Sequence, residues 1–306
     1  GWELESLGAQ PIPRVLDGTR YGTLAAPGIT VRFAPSDSLV AEGVLDFLME
    51  QTDLPGLPRP DSITVVLAHT PAVLDSLTGG VVPEWRAGVA VPSRRLLIVP
   101  TGEGPRVLDT EGRRVLRHEW AHLGLHGWLG GLRVPRWFDE GYAQWASAGF
   151  DASEAWRLRI LLATGNAPSL DSLTLDWPRG RTDAGAAYLL AASAVTYLLG
   201  ESGRRGLALF LERWRRDRSF EQAFRETFGV TTAQFEEDWR RHVKERYGWL
   251  FVLSHSTVFW MVLTLVLLVM VRVRQRYNRE RTRFPTSRPT GRRVGKRWDR
   301  PRGVWG

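Results

Sequence analysis

Residues 117–145 read RHEWAHLGLHGWLGGLRVPRWFDEGYAQW, and two short runs within them decide the reading of the chain. The first is His118-Glu119-Trp120-Ala121-His122, an H-E-x-x-H pattern. On a helix, residues four apart lie on one face about one turn from each other, so both imidazoles can meet a single ion. Zinc accepts such nitrogens at about 2.0–2.1 Å. Glu119 lies beside His118 around the helix, where it reaches a water near the ion without ligating it. Its expected role is general base. Three fixed positions arise by chance on the order of once per hundred chains of this length, so the pattern needs a third ligand to carry weight.

Two residues compete for that third position. His126 continues the series 118, 122, 126. It lies two turns along the axis from His118, about 12 Å, and one straight helix cannot bring all three imidazoles to one ion. Leu125 and Trp128 also stand where the metzincin pattern requires Gly and His. His126 is therefore expected to be an ordinary or supporting histidine. Glu140 is the better candidate. It sits on a second expected helix, 135–148, separated from the first by the 127–133 turn (GWLGGLR). An antiparallel helix pair of this size returns Glu140 beside His122.

H-E-x-x-H followed by Trp137-Phe138-Asp139-Glu140-Gly141-Tyr142-Ala143 resembles the gluzincins, particularly the peptidase MA-like families and their aminopeptidase branch. The resemblance spans roughly residues 60–247. It implies an α+β, zincin-like (thermolysin-type) metallopeptidase domain with a small N-terminal mixed sheet and a mostly helical C-terminal half. It implies one Zn²⁺ held by His118, His122 and Glu140, and hydrolysis of a peptide or protein substrate. The 17 residues between His122 and Glu140 are one short of the spacing usual in the aminopeptidases, which argues against close membership in that branch. Downstream, residues 185–200 (GAAYLLAASAVTYLLG) fit the family's A-Y-x-x-A helix. Related enzymes stabilise an oxyanion with a Tyr hydroxyl, which carries over to Tyr188. Tyr197, nine residues on, points to the opposite side of that helix. Zincins hold extended peptide along an edge strand before the active-site helix, and Gly88, Val89 and Ala90 are the best local match. The G-x-M-E-N run of the aminopeptidases is missing there, so endopeptidase action is favoured. Asp139 can orient a neighbouring ligand as an acceptor.

Outward from this centre, 29–33 and 63–69 read as strands, the second being β-branched, apolar and preceded by turn residues. Residues 88–91 and 96–100 read as two more short strands around a 92–95 turn, or as one interrupted edge strand. Helices are expected at 38–51, 71–77, 113–128, 152–163, 185–200, 204–216, 220–228 and 232–247, with Thr231 and Gln234 as a capping box. Residues 1–28, rich in Gly and Pro, read as an extended lead-in to a domain over 29–248.

Residues 250–271 carry no formal charge. As a helix of about 33 Å they cross a hydrocarbon core. Residues 272–306 follow with twelve Arg and one Lys against Glu280 and Asp299, a net of +11. The whole chain carries +8, so residues 1–271 carry −3 and no nucleic-acid-binding core is expected. The positive-inside rule puts this basic tail in the cytoplasm, disordered and able to touch acidic lipid, with the catalytic domain outside a single-pass cell-membrane anchor. Cysteine is absent, which excludes disulfides, thiolate ligands and a cysteine nucleophile. The sequence opens at Gly1 without an initiator Met, so a preceding segment is expected to have been removed or left out. A non-enzymatic alternative is a zincin-fold binding module at the cell envelope with weak or lost catalysis, which the intact Glu119 disfavours. Nothing in the sequence speaks to an oligomer.

Overall fold

Residues Ile63–Ala68 (ITVVLA) lack polar alternation because both faces of the strand they form are covered. The computed structural model describes residues 12, 15–16, 18–50, 54–79, 88–102, 107–150, 152–163, 168–175, 177–178, 180–247 and 257–281. In chain order the strands are β1 (Val15–Leu16), β2 (Thr19–Arg20), β3 (Gly22–Ala26), β4 (Ile29–Phe33), β5 (Ile63–Ala68), β6 (Val89–Val91) and β7 (Leu96–Pro100). The first two form a small antiparallel ladder. The other five form one sheet in the order β3-β4-β5-β7-β6. Its centre, β4-β5-β7, is parallel, and both edges are antiparallel.

Side chains of β5 and β7 alternate between two apolar layers, as pleating requires. Val65, Leu67, Leu97 and Val99 join one core with Ala41, Val44 and Leu48 of α1 (Ser38–Glu50). Val66, Ala68, Leu96 and Ile98 join a second with Val73 and Leu77 of α2 (Pro71–Thr78). β3 lies inside the stretch expected as an extended lead-in, yet it pairs with β4 over five residues. Its sequence, GTLAA, is half exposed at the sheet edge and offers almost no β-branched signal.

From Thr110 the described residues are helical or connecting. The helices are α3 (Thr110–Leu129), α4 (Arg136–Ala148), α5 (Ala152–Ala163), α6 (Leu170–Leu175), α7 (Arg181–Asp217), α8 (Phe220–Phe228) and α9 (Thr232–Tyr247). The Asp109 carboxylate accepts the Gly112 amide at 2.8 Å, so α3 starts earlier than its apolar pattern indicates. α3 ends at Gly130, whose φ of 62° suits glycine. The helices expected at 185–200 and 204–216 are the two arms of α7, broken at Gly203. The short α6 was not expected. Thr231 and Gln234 exchange backbone and side-chain hydrogen bonds at 3.0 and 3.2 Å, forming the capping box ahead of α9.

Among the described residues, Asp183–Asp217 of α7 is the one stretch long and apolar enough to cross a membrane, and over half of its apolar window is buried in the domain. It is a core helix. α4 packs along it, with Phe138 edge-on to Phe210, Trp214 and Phe220 at 5.6–5.8 Å.

The chain divides into Gly1–Val252 and Leu253–Gly306. In the second unit, α10 (Thr257–Arg281) exposes every described side chain from 259 to 276. The first seven residues of the expected 250–271 membrane segment lie outside the described residues, as do 282–306 of the tail. Residues 272–281 continue the helix instead of being disordered, since Arg is a good helix former and extends a helix already nucleated.

A Cβ on Gly141 would sit 2.5 Å from the Ala191 carbonyl oxygen and 2.8 Å from its carbon, both backbone atoms of α7. Gly141→Ala is therefore expected to cost about 1–3 kcal/mol in chemical denaturation through overpacking. Gly127→Ala, on the exposed side of α3 with nothing within 4 Å, is expected to be neutral or to stabilise by up to about 1 kcal/mol.

Candidate metal centre

One turn of α3 brings His118 and His122 side by side, with their Nε2 atoms 3.2 Å apart. The 130–135 connection reverses the chain, and α4 returns across α3. Arg117 ties the pair together, donating from Nε to the Ala146 carbonyl at 2.7 Å. The crossing puts Glu140 Oε2 3.5 Å from His118 Nε2 and 3.5 Å from His122 Nε2. His122 and Glu140 are buried, and His118 is nearly so. Ligand atoms of a tetrahedral zinc site with bonds of about 2.0–2.1 Å lie about 3.3–3.4 Å apart. The observed triangle of two nitrogens and one oxygen fits that spacing, and these three residues could hold the ion.

His122, His126 and Asp139 form a second cluster with different distances. Asp139 Oδ1 lies 2.7 Å from His122 Nδ1, and Oδ2 lies 3.0 Å from His126 Nε2. These are hydrogen-bond lengths. Asp139 turns the His122 ring so that Nδ1 carries the proton and Nε2 offers its lone pair toward His118 and Glu140. His126 holds the far oxygen of the same carboxylate, so it supports the centre from outside, as its distance along α3 requires. Burial alone would raise the Asp139 carboxyl, but His122 and His126 outweigh it and hold its pKa well below the usual carboxylate range. At His122 burial opposes charge, yet Asp139 and Glu140 prevail and raise its pKa well above the usual histidine value. The pocket favours positive charge at Nε2.

Two contributors were not read from the sequence. Arg136, one turn before Glu140, sets its Nε 3.8 Å from Glu140 Oε1, leaving Oε2 for the imidazoles. Its guanidinium lies 5.1 Å from the Trp177 ring centre. The i, i+4 spacing of Arg136 and Glu140 was the available signal for the first. No local pattern announces Trp177.

The other expected residues are also near. Glu119 is buried, and its Oε2 accepts the Ala90 backbone amide at 2.7 Å. Tyr188 packs edge-on against His118, ring centres 6.1 Å apart, and against Trp177 at 5.2 Å. Tyr197 instead packs on Phe235 and His242. Gly88, Val89 and Ala90 lie at or in β6, the outermost strand of the sheet on this side.

A family model described as Peptidase MA superfamily matches residues 50–245. Comparison with curated proteins gave no match.

Asp139→Ala removes the acceptor behind His122 and is expected to weaken zinc binding about 10- to 100-fold in competition with a chelator. His126→Ala, one step further out, is expected to weaken it less.

Proposed function

This chain belongs to the Peptidase MA superfamily, and from that we propose that it is a zinc-dependent peptidase of zincin-like fold, anchored in a membrane. The observation that carries the reading is the triangle of His118 Nε2, His122 Nε2 and Glu140 Oε2, with edges of 3.2, 3.5 and 3.5 Å. His118, His122 and Glu140 would hold the zinc, which when bound would supply a Lewis acid for the scissile carbonyl and for the attacking water.

The remaining work falls to side chains. Glu119, on the same face of α3, takes a proton from the attacking water and delivers it to the leaving amine. Tyr188 directs its hydroxyl to the oxyanion that develops at the carbonyl. Asp139 keeps His122 in the tautomer that frees Nε2, and Arg136 keeps Glu140 turned inward. In this reading the outer edge of β6, unpaired among the described residues, offers Gly88, Val89 and Ala90 to an extended peptide or protein substrate. Endopeptidase action is favoured by the missing aminopeptidase run.

The membrane anchor in this reading is the apolar segment 250–271, whose described part opens α10 and which reaches a spanning length only together with residues 250–256. Its residues 259–271 are apolar apart from Thr264, and all are exposed. Such a surface in water costs roughly 25 cal/mol per Å², and lipid removes that cost. The Thr264 hydroxyl donates to the Trp260 carbonyl at 2.7 Å, satisfying itself within the helix as a lipid-facing polar group must. The arginines from Arg272 onward favour a cytoplasmic end, which leaves the peptidase domain outside.

Three measurements test this. Glu119→Gln is expected to retain about one zinc per chain yet lose peptide cleavage by about 10²-fold or more, whereas His118→Ala loses the metal as well. Tyr188→Phe is expected to lower kcat by about 10- to 10³-fold with KM little changed. The full chain is expected to float with phospholipid vesicles. Leu265→Arg with Leu268→Arg, each costing about 2.5–3.5 kcal/mol in a bilayer centre, should release it. Persistent flotation of that double variant would reject α10 as the anchor.

A further inference from the structure

A general base on a helix is a long, rotatable side chain, and Glu119 must meet both an attacking water and a departing amine. Its hydrogen bond among the described residues comes from outside the helix, from the backbone amide of Ala90 at 2.7 Å. Among the described residues β6 pairs only with β7, and the register sets Ala90 opposite Leu97. Since the Ala90 amide reaches Glu119, it points off the free edge of the sheet. Ala90 and Leu97 are thus a pair that exchanges no ladder bonds. The ladder loses nothing by this, and the amide can only donate. It fixes Oε2 of the carboxylate and leaves Oε1 for the reacting groups.

The closeness of the strand has its own cause. A Cβ on Gly88 would lie 2.9 Å from Val115 Cγ1 and 3.2 Å from Glu119 Cγ. Val115 and Glu119 are one turn apart on α3, so the missing side chain at 88 lets β6 settle against that face of the helix. Gly88 stands two residues before the amide whose distance it controls.

We propose that the Ala90 backbone amide is a positioning group for Glu119 and that Gly88 sets its distance. This rests on Glu119 acting as general base. It moves one of the strand's three expected substrate-pairing residues to a different duty: the strand aligns the base as well as the peptide. A lid or a separate second ligand is not required to orient Glu119.

Ala90→Pro deletes the N–H, and because that N–H faces off the sheet, the ladder to β7 keeps its bonds. In the full-length protein this variant is expected to hold about one zinc per chain and to lose about tenfold or more in kcat, with KM within about twofold. In a Glu119→Gln background the same change should produce no further loss, because the group it aligns is already disabled. A readout independent of turnover is hydrogen exchange at the Ala90 amide. Exchange should accelerate about tenfold or more in Glu119→Ala, which also serves if the proline variant does not fold. Equal kcat in wild type and Ala90→Pro at equal zinc would overturn the proposal. So would a loss confined to KM, which would mean the amide serves the substrate, or unchanged exchange in Glu119→Ala. Full activity in Glu119→Gln would remove the general-base reading itself, and the positioning role with it.

Discussion

The proposed metal centre depends on one constraint: three donor atoms must converge on one point from two helices. The helical period supplies two of them for nothing more than a spacing of four residues. The third has to be carried in by a separate element, and it is a carboxylate taken out of water. Asp139 and Glu140 bring two carboxylates against the same imidazoles, and Glu119, next to His118 in the chain, is buried as well. Isolated buried carboxylates are strongly disfavoured, so the arrangement is stable only with positive charge among them. Arg136 provides part of it at Glu140, and the imidazoles answer Asp139. A divalent ion between His118, His122 and Glu140 would complete the balance.

Much of the remaining architecture serves the crossing that brings Glu140 in. Phe138, on the face of α4 next to Asp139 and Glu140, is fully buried among aromatic rings of α7 and α8. Gly141 lets α4 lie against the α7 backbone, and the Tyr142 hydroxyl donates to the Pro55 carbonyl at 2.9 Å. The Trp-Phe-Asp-Glu-Gly-Tyr run thus divides its physical duties: Trp137 and Phe138 pack, Asp139 orients His122, Glu140 faces the two imidazoles, Gly141 allows close approach and Tyr142 anchors. The parallel strands form a platform whose antiparallel edge strand, β6, reaches α3 through the Ala90 amide. The sheet and the helical half therefore meet at Glu119.

How far the sequence disclosed this depends on the range of the interactions. H-E-x-x-H was legible because periodicity alone fixes which side chains share a helical face, and its partner run was legible through its resemblance to the gluzincins. The rise of the helix set His126 apart from His118, and the resemblance to the gluzincins pointed to Glu140; in the structure Glu140 Oε2 lies 3.5 Å from His122 Nε2, while His126 meets Asp139. β5 was plain from its apolar composition, whereas β3 was missed because GTLAA carries almost no strand propensity and acquires its form from pairing with β4. Trp177 and the Ala90 amide escaped for a similar reason. Trp177 reaches the site from a distant stretch of chain, and an amide has no sequence signature at all. Asp109 began α3 ahead of its apolar pattern because a cap is a local hydrogen bond outside the periodic repeat.

The most direct test of the account is anomalous diffraction at the zinc edge from crystals of the metal-loaded protein. The account predicts one strong peak bonded to His118 Nε2, His122 Nε2 and Glu140 Oε2, each at about 2.0–2.2 Å, with Asp139 and His126 outside the coordination sphere. A peak among His122, His126 and Asp139 instead, or no peak at α3 in a zinc-saturated crystal, would contradict it.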